Sequence, residues 1–373
     1  MLGGKQPMVR VLHELSALDG GGDARLIYEY YSCMDKTKVH FDFVIYDFYE
    51  NGLLEQPLRD MGCTIYKLPQ IKKDRKACLN GLEKVIKEGN YDVVHSHRGG
   101  RGFFVMYYAK KYGIKKRVVH SHVANESVSF MKKMLNVVLS KIAKMFATDL
   151  FACGKDAGIY MWGKNSFDKG DVSIMTNAIT IDKFGFSQDV RETKRKELGV
   201  DDKLVLGIVG RMTAQKNYPF LFRVYKEVLK VRQDVVLVVV GRGLQEETIK
   251  AYARELGIEK EILFLGLRDD VSELLNAFDI FLLPSLFEGL PVVLIEAQAN
   301  GLKQIVSNTI TDEVDITDLI EYLPIDEGEQ QWVERINAYK NNVAERNTYS
   351  QKVAKAGYDI VVESKKMQNF YLS

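Results

Sequence analysis

The chain is poor in the features that would place it quickly. It has four cysteines in 373 residues, Cys33, Cys63, Cys78 and Cys153. None sits in a C-x-x-C spacing or pairs with a histidine, so they read as free thiols of a reducing cytosol, not a disulfide frame or a zinc ribbon. Net charge is +2, too little to argue for a nucleic-acid partner. No apolar run reaches about 18 residues, and the opening "MLGGKQPMVRVLHEL" has no apolar core of a leader, so neither spanning nor export is expected. G-x-x-x-x-G-K-[ST] is absent, and Gly241 and Gly243 lack the third glycine of a dinucleotide fingerprint. Asp-x-Asp occurs nowhere, which removes a common way of holding a divalent ion on a bound diphosphate. No metal site is expected.

What is present is alternation. Short β-rich runs (Val9–Leu12, Phe41–Ile45, Thr64–Leu68, Val93–His95, Arg117–His120, Leu150–Cys153, Val172–Met175) are separated by segments of helical periodicity. After the charged stretch 187–203 the pattern restarts, with strands expected at Leu204–Val209, Val235–Val240, Ile262–Leu265, Ile280–Leu283 and Gln304–Val306. Length and pattern together predict an α/β protein of two Rossmann-like, doubly wound parallel-sheet domains. The expected division is 1–183 and 184–355, with a final helix, 356–373, packing back on the first domain.

Chemistry concentrates at strand ends. "LFEGLPVVLIEAQANG" (286–301) reads as a glycine loop carrying Glu288, then a helix that begins near Pro291, carries Glu296 and stops at Asn300-Gly301. A helix N-terminus at the carboxyl edge of a parallel sheet welcomes an anion. "GIVGRMTAQKN" (207–217) puts Arg211 and Lys216 just past another strand, where two cations would suit a pyrophosphate. The glycines of "LDGGGDARLIYEYY" (18–31) offer backbone amides to an anion or simply make a tight turn. His120 and His122 end one strand and His95 and His97 another, and one of each pair should point toward a ligand at the carboxyl edge.

These residues resemble a known family. "GRMTAQKN", "FLGLRDDVSELLNAFDIFLLPSLFEGLPVVLIEAQANGL" and the flanking "GGGDARLI" and "KRVVHSH" resemble the GT-B retaining glycosyltransferases of family 4, within them the EpsF-like branch of capsular and exopolysaccharide synthesis. The resemblance runs across nearly the whole chain. It implies the GT-B fold, two domains facing a central cleft. It also implies that Arg211 and Lys216 hold the donor diphosphate, that Glu296 takes the ribose hydroxyls and that Glu288 binds the donor hexose. Backbone amides at Gly289, Leu290, Pro291 and Val292 would lie along phosphate and sugar, with Gly21 and Gly22 on the other domain. His122 matches the family's histidine at the sugar 6-hydroxyl. Three positions depart from the family pattern: Ala24 before Arg25, where an acid is usual; Lys303 after Gly301-Leu302, where proline is usual; and "MTNAIT" at the domain junction.

The resulting expectation is a metal-independent, retaining hexosyltransferase with no cofactor. It would use a UDP-sugar donor and a saccharide acceptor, undecaprenyl-linked in such relatives. Two rivals stay open: a UDP-sugar 2-epimerase of the same architecture, and a non-catalytic partner of another transferase. The segment 129–146 spaces Met131, Met134, Leu135, Val138, Ile142, Met145 and Phe146 as a helical stripe beside Lys132, Lys133, Lys141 and Lys144. It reads either as a helix packed on the first sheet or as a contact with anionic lipid. The second reading would make a cytoplasmic enzyme peripheral on the inner face of the membrane.

Overall fold

The computed structural model describes residues 8–19, 22–46, 52–122, 130–340 and 343–373. The chain packs into two units, Met1–Ala178 with Ile360–Ser373, and Ile179–Asp359.

The first unit is built on seven parallel strands: β1 (Val9–Glu14), β2 (Val39–Tyr46), β3 (Ile65–Leu68), β4 (Val93–Ser96), β5 (Lys116–Ser121), β6 (Asp149–Ala152) and β7 (Val172–Ile174). Their order is β3-β2-β1-β4-β5-β6-β7. The order reverses between β1 and β4, and ligands of such sheets collect beyond the carboxyl ends at that reversal. The last helix, Ile360–Leu372, buries Ile360, Met367 and Tyr371 in the same core as Val11, Phe41, Val118 and Phe151.

The second unit repeats the plan with β8 (Leu204–Val209), β9 (Val235–Val240), β10 (Ile262–Gly266), β11 (Ile280–Leu283), β12 (Lys303–Ser307) and β13 (Ile320–Leu323), ordered β10-β9-β8-β11-β12-β13. The central strands β8, β9 and β11 read as unbroken apolar runs because both faces are covered. Leu204, Leu206 and Ile208 enter one core, with Val235, Leu237 and Val239, while Val205, Val236, Val238 and Val240 enter the other. That is the two-residue alternation of a strand sandwiched between helix layers.

Two elements differ from the sequence pattern. Edge strand β13, "IEYL", went unanticipated because its half-buried residues give a weak signal. The charged stretch after Ser187 is not a spacer but a capped helix, Gln188–Leu198, with Ser187 accepting from the Val190 amide. Its Arg191 and Arg195 are buried, and both bond the Asp279 carboxylate, which compensates the charge. Ile179 forms a parallel bridge with Asp359, and Ile179 and Phe184 join a core of the second unit, so residues 179–183 and 356–359 pack with it.

Candidate active site

In the second unit the strand order reverses between β8 and β11, and the chain leaves both through short loops. Gly241 makes the first loop close. It follows β9, its φ is +129°, and a Cβ there would stand 2.1 Å from the Gly210 carbonyl oxygen, so only glycine lets the ends of β8 and β9 approach. Beyond Gly210, Arg211 is exposed and has no ion pair or side-chain hydrogen bond among the described residues. Lys216 turns back, and its Nζ donates to Glu288 Oε1 at 2.6 Å, the two side chains only 13% and 8% exposed. Ser285 Oγ donates to the same oxygen at 2.6 Å, and Gln215 Nε2 to Oε2 at 3.0 Å. Gln215 is itself fixed, since its amide also reaches the Phe287 carbonyl and its own carbonyl accepts from the Leu286 amide. The Glu288 carboxylate is therefore oriented by three donors from two loops. A single ammonium has three N–H groups, so Lys216 keeps donors for a second anion.

The helix after this loop runs Val292–Ala299 with Pro291 at the N-cap, one residue outside the first turn where the sequence pattern put it. No side chain caps it. Glu296 lies in its second turn and is partly buried. Gly301, at φ +67°, ends it: a Cβ there would meet the Arg346 backbone at 2.5 Å.

The first unit carries a different chemistry. His13 and His95 are register partners on β1 and β4, and His97 and His122 lie just past the ends of β4 and β5. Together with His120 they bring five of the six histidines of the chain into one stack. His13 Nδ1 meets His97 Nε2 at 2.9 Å, His97 Nδ1 meets His122 Nε2 at 3.0 Å, and His95 Nδ1 meets the Tyr371 hydroxyl at 2.7 Å. Burial pushes His13 down to about 3 and takes His95, His97 and His120 well below the usual imidazole value, each of these three also repelled by its neighbours. Burial lowers His122 as well, against the opposing field of Asp23. Beside the stack, buried Glu14 accepts from Tyr46 at 2.5 Å and Ser96 at 2.6 Å and pairs with Arg98 at 3.2 Å. His97, Arg98, Arg101, His122, Asp23 and Gly22 line a pocket of about 380 Å³ in this unit.

The Glycosyl transferases group 1 family matches residues 190–356. Over 357 residues, 94% of this chain and 93% of the relative, the sequence is 32% identical to the putative glycosyltransferase EpsF of Bacillus subtilis (strain 168). The chain belongs to the group 1 glycosyltransferases. It is also 31% identical, over 63% of its length and 62% of the relative's, to an Escherichia coli UDP-Gal:alpha-D-GlcNAc-diphosphoundecaprenol alpha-1,3-galactosyltransferase. Anabaena HepE, solved in complex with UDP and glucose, superposes with a TM-score of 0.78 at 17% identity, covering 98% of this chain and 100% of that one. That likeness is one of fold, and the fold is GT-B.

In this transferase the structure brings Lys216 and Glu288 into contact, with Arg211 on the same loop as Lys216 and Gly289, Leu290, Pro291 and Val292 leading from Glu288 into the helix of Glu296. Gly22 and His122 line the pocket of the first unit, and Gly21 lies outside the described residues. Sequence reasoning missed Ser285 and Gln215, polar residues of ordinary loops whose partner is fixed only by folding. It also missed His13 and the joining of both H-S-H runs into one cluster. The signal was there: residues two apart on a strand share a face, and the two runs end neighbouring strands.

Proposed function

We propose that the transferase moves a hexose from a UDP-sugar to a saccharide on a polyprenyl diphosphate, retaining the anomeric configuration and needing no metal, in building a capsular or exopolysaccharide. The observation that carries this is the buried Lys216–Glu288 pair beside exposed Arg211 at the carboxyl edge of β8 and β11. Arg211 and the remaining Lys216 donors would take the diphosphate, whose charge grows as the anomeric C–O bond breaks. Cations already in place at a departing anion stabilise the transition state more than the ground state. Glu288, oriented by Ser285 and Gln215, would accept from hexose hydroxyls, and Glu296 from the ribose. The first unit would supply Gly22 and His122, the latter to the sugar 6-hydroxyl. Attack by the acceptor hydroxyl from the leaving-group side, with the β-phosphate as base, needs no enzyme nucleophile. The donor and carrier are suggested by what the HepE complex and the galactosyltransferase are named for.

A peripheral place on the inner face of the cytoplasmic membrane suits a lipid-borne acceptor. None of the described helices is long and apolar enough to cross a membrane. In the helix Phe130–Phe146 the apolar stripe faces outward, with Met131 81% and Met145 70% exposed and Met134, Leu135 and Val138 about half exposed. A stripe packed on the sheet would be covered, so the plain core reading does not hold for these five residues, while Ile142 and Phe146 are half-buried, Phe146 edge-on against Tyr107. Lys141 and Lys144 are exposed on the same helix, and the side chains of Lys132 and Lys133 lie outside the described part. The enzyme would then approach anionic lipid through this helix.

EDTA-treated protein incubated with a series of UDP-hexoses and a short polyprenyl-diphosphate saccharide tests the reaction. UDP release that requires the acceptor, and an axial product linkage from an axial donor by NMR, are the expected results. An inverted product, or turnover only after Mg²⁺ or Mn²⁺ is returned, would overturn retention or metal independence respectively.

A further inference from the structure

We propose that His97, His120 and His122 form a site for one divalent transition-metal ion of the zinc class. Each offers a ligand nitrogen, and these atoms lie within 4.8 Å of one another. Imidazole suits zinc, copper and nickel, and tetrahedral zinc at 2.0–2.1 Å from nitrogen needs its ligand atoms about 3.3 Å apart. Closing the set is a movement on the scale of side-chain rotation.

Three further features point to a ligand. His120 is fully buried, and among the described residues neither ring nitrogen has a hydrogen-bond partner, an arrangement that costs free energy unless something takes a lone pair. His97 carries its own orienting partner. If the ion replaces the contact between His97 Nδ1 and His122 Nε2, the opposite His97 nitrogen keeps its proton and donates it to His13 Nδ1, the outer contact that metal-bound histidines regularly make. Finally, His97 and His122 line the 380 Å³ pocket, which gives the ion an entrance and room for a water or the Asp23 carboxylate as a fourth ligand. The other compact set, His13, His95 and His97, lacks this access: His13 and His95 are fully buried, away from that pocket, and His95 is bonded to Tyr371.

The consequence rests on the proposed role of His122. An ion there occupies the imidazole assigned to the sugar, so the loaded enzyme is inhibited and chelation restores it. The two readings separate because binding is measured without turnover. Untagged full-length protein, stripped with EDTA and dialysed, is titrated with Zn²⁺ against a chromophoric chelator, and with Co²⁺ for its tetrahedral absorption bands. One Zn²⁺ per chain is expected, lost in His120→Phe and weakened by about 10–100-fold in His13→Phe, which removes only the outer contact. Near-UV circular dichroism confirms that each variant is folded; if His120→Phe is not, loss of binding in His122→Gln, partly exposed and easier to accommodate, serves in its place. No stoichiometric binding by the wild-type chain, or full binding by a folded His120→Phe, overturns the site. Zn²⁺ that binds without slowing transfer leaves the site standing and removes His122 from the transfer reaction.

Discussion

Arg211 and Lys216 carry the same charge in different surroundings, and that difference separates what their loss should do. Arg211 is exposed with no partner among the described residues, so Arg211→Ala should leave the melting temperature unchanged. Turnover should nevertheless fall by about 10²–10³, the usual effect of removing one preorganised donor at a developing anion. Lys216→Ala should lose as much activity and also destabilise the second unit by about 1–3 kcal/mol, because the nearly buried Glu288 side chain would lose its charged partner and be left with two neutral donors. Steady-state kinetics with thermal melts distinguish the pair; equal melts for both variants would show that the Lys216–Glu288 contact carries no stability. Glu288 was legible in the sequence because glycine and proline around it announce a loop feeding a helix. Its contact with Lys216 was not, since the two are 72 positions apart and only the β8–β11 neighbourhood unites them. The burial of Arg191 and Arg195 was not legible either, since a run of charge gives no sign of the Asp279 carboxylate beneath it.

At the scale of elements, the strand ends of the first unit make its stability depend on acid. His13 binds its proton with a value of about 3 in the folded chain against 6.5 when free, and His95, His97 and His120 shift the same way, chiefly by burial. Below pH 6.5 the unfolded chain takes up protons that the folded one refuses, so this stability is complete above that value and declines as the pH falls toward 3. The second unit contains no histidine, which makes it an internal control. Each unit also has one tryptophan, Trp162 in the first and Trp332 in the second, so Trp→Phe variants report them separately. Between pH 7.5 and 5 the Trp162 melt should drop more steeply than the Trp332 melt; parallel declines would mean that the cluster is protonated without penalty. The helix Phe130–Phe146 gives a second test. The protein should co-sediment with phosphatidylglycerol vesicles at low salt and release at high salt, and Lys141→Glu with Lys144→Glu should weaken this while acceptor-dependent UDP release with a short, water-soluble acceptor survives. Equal binding to neutral vesicles would show that charge has no part in it. Periodicity revealed that helix but not its outward face, which depends on what else covers the sheet.

At the scale of the molecule, the alternation of strands and helices was enough to read two parallel-sheet units, because a strand covered on both faces is apolar at every position. What it could not supply was the assignment of the last helix to a particular set of contacts. Tyr371 bonds His95, Phe370 packs edge-on against Phe151, and Gln368 accepts from the Asp35 amide, all within the first unit. Truncation after Asp359 should therefore abolish or sharply lower the Trp162 transition and leave that of Trp332 in place, as followed by tryptophan fluorescence on heating. An unchanged Trp162 melt would show that the helix only rests on the surface.

That returning helix also sets an order of events during synthesis. The first 178 residues are made first, but the segment that closes their core is separated from them by residues 179–359, all of which must be translated before it. At about 5–20 residues per second the ribosome needs roughly 10–40 s for that stretch. During that interval Phe41, Phe151 and the imidazole stack are left without their cover, while the second unit, continuous in sequence, is free to finish. The half that begins first is thus completed last, and a chaperone that shields nascent apolar surface would have its longest engagement with the amino-terminal half of this chain.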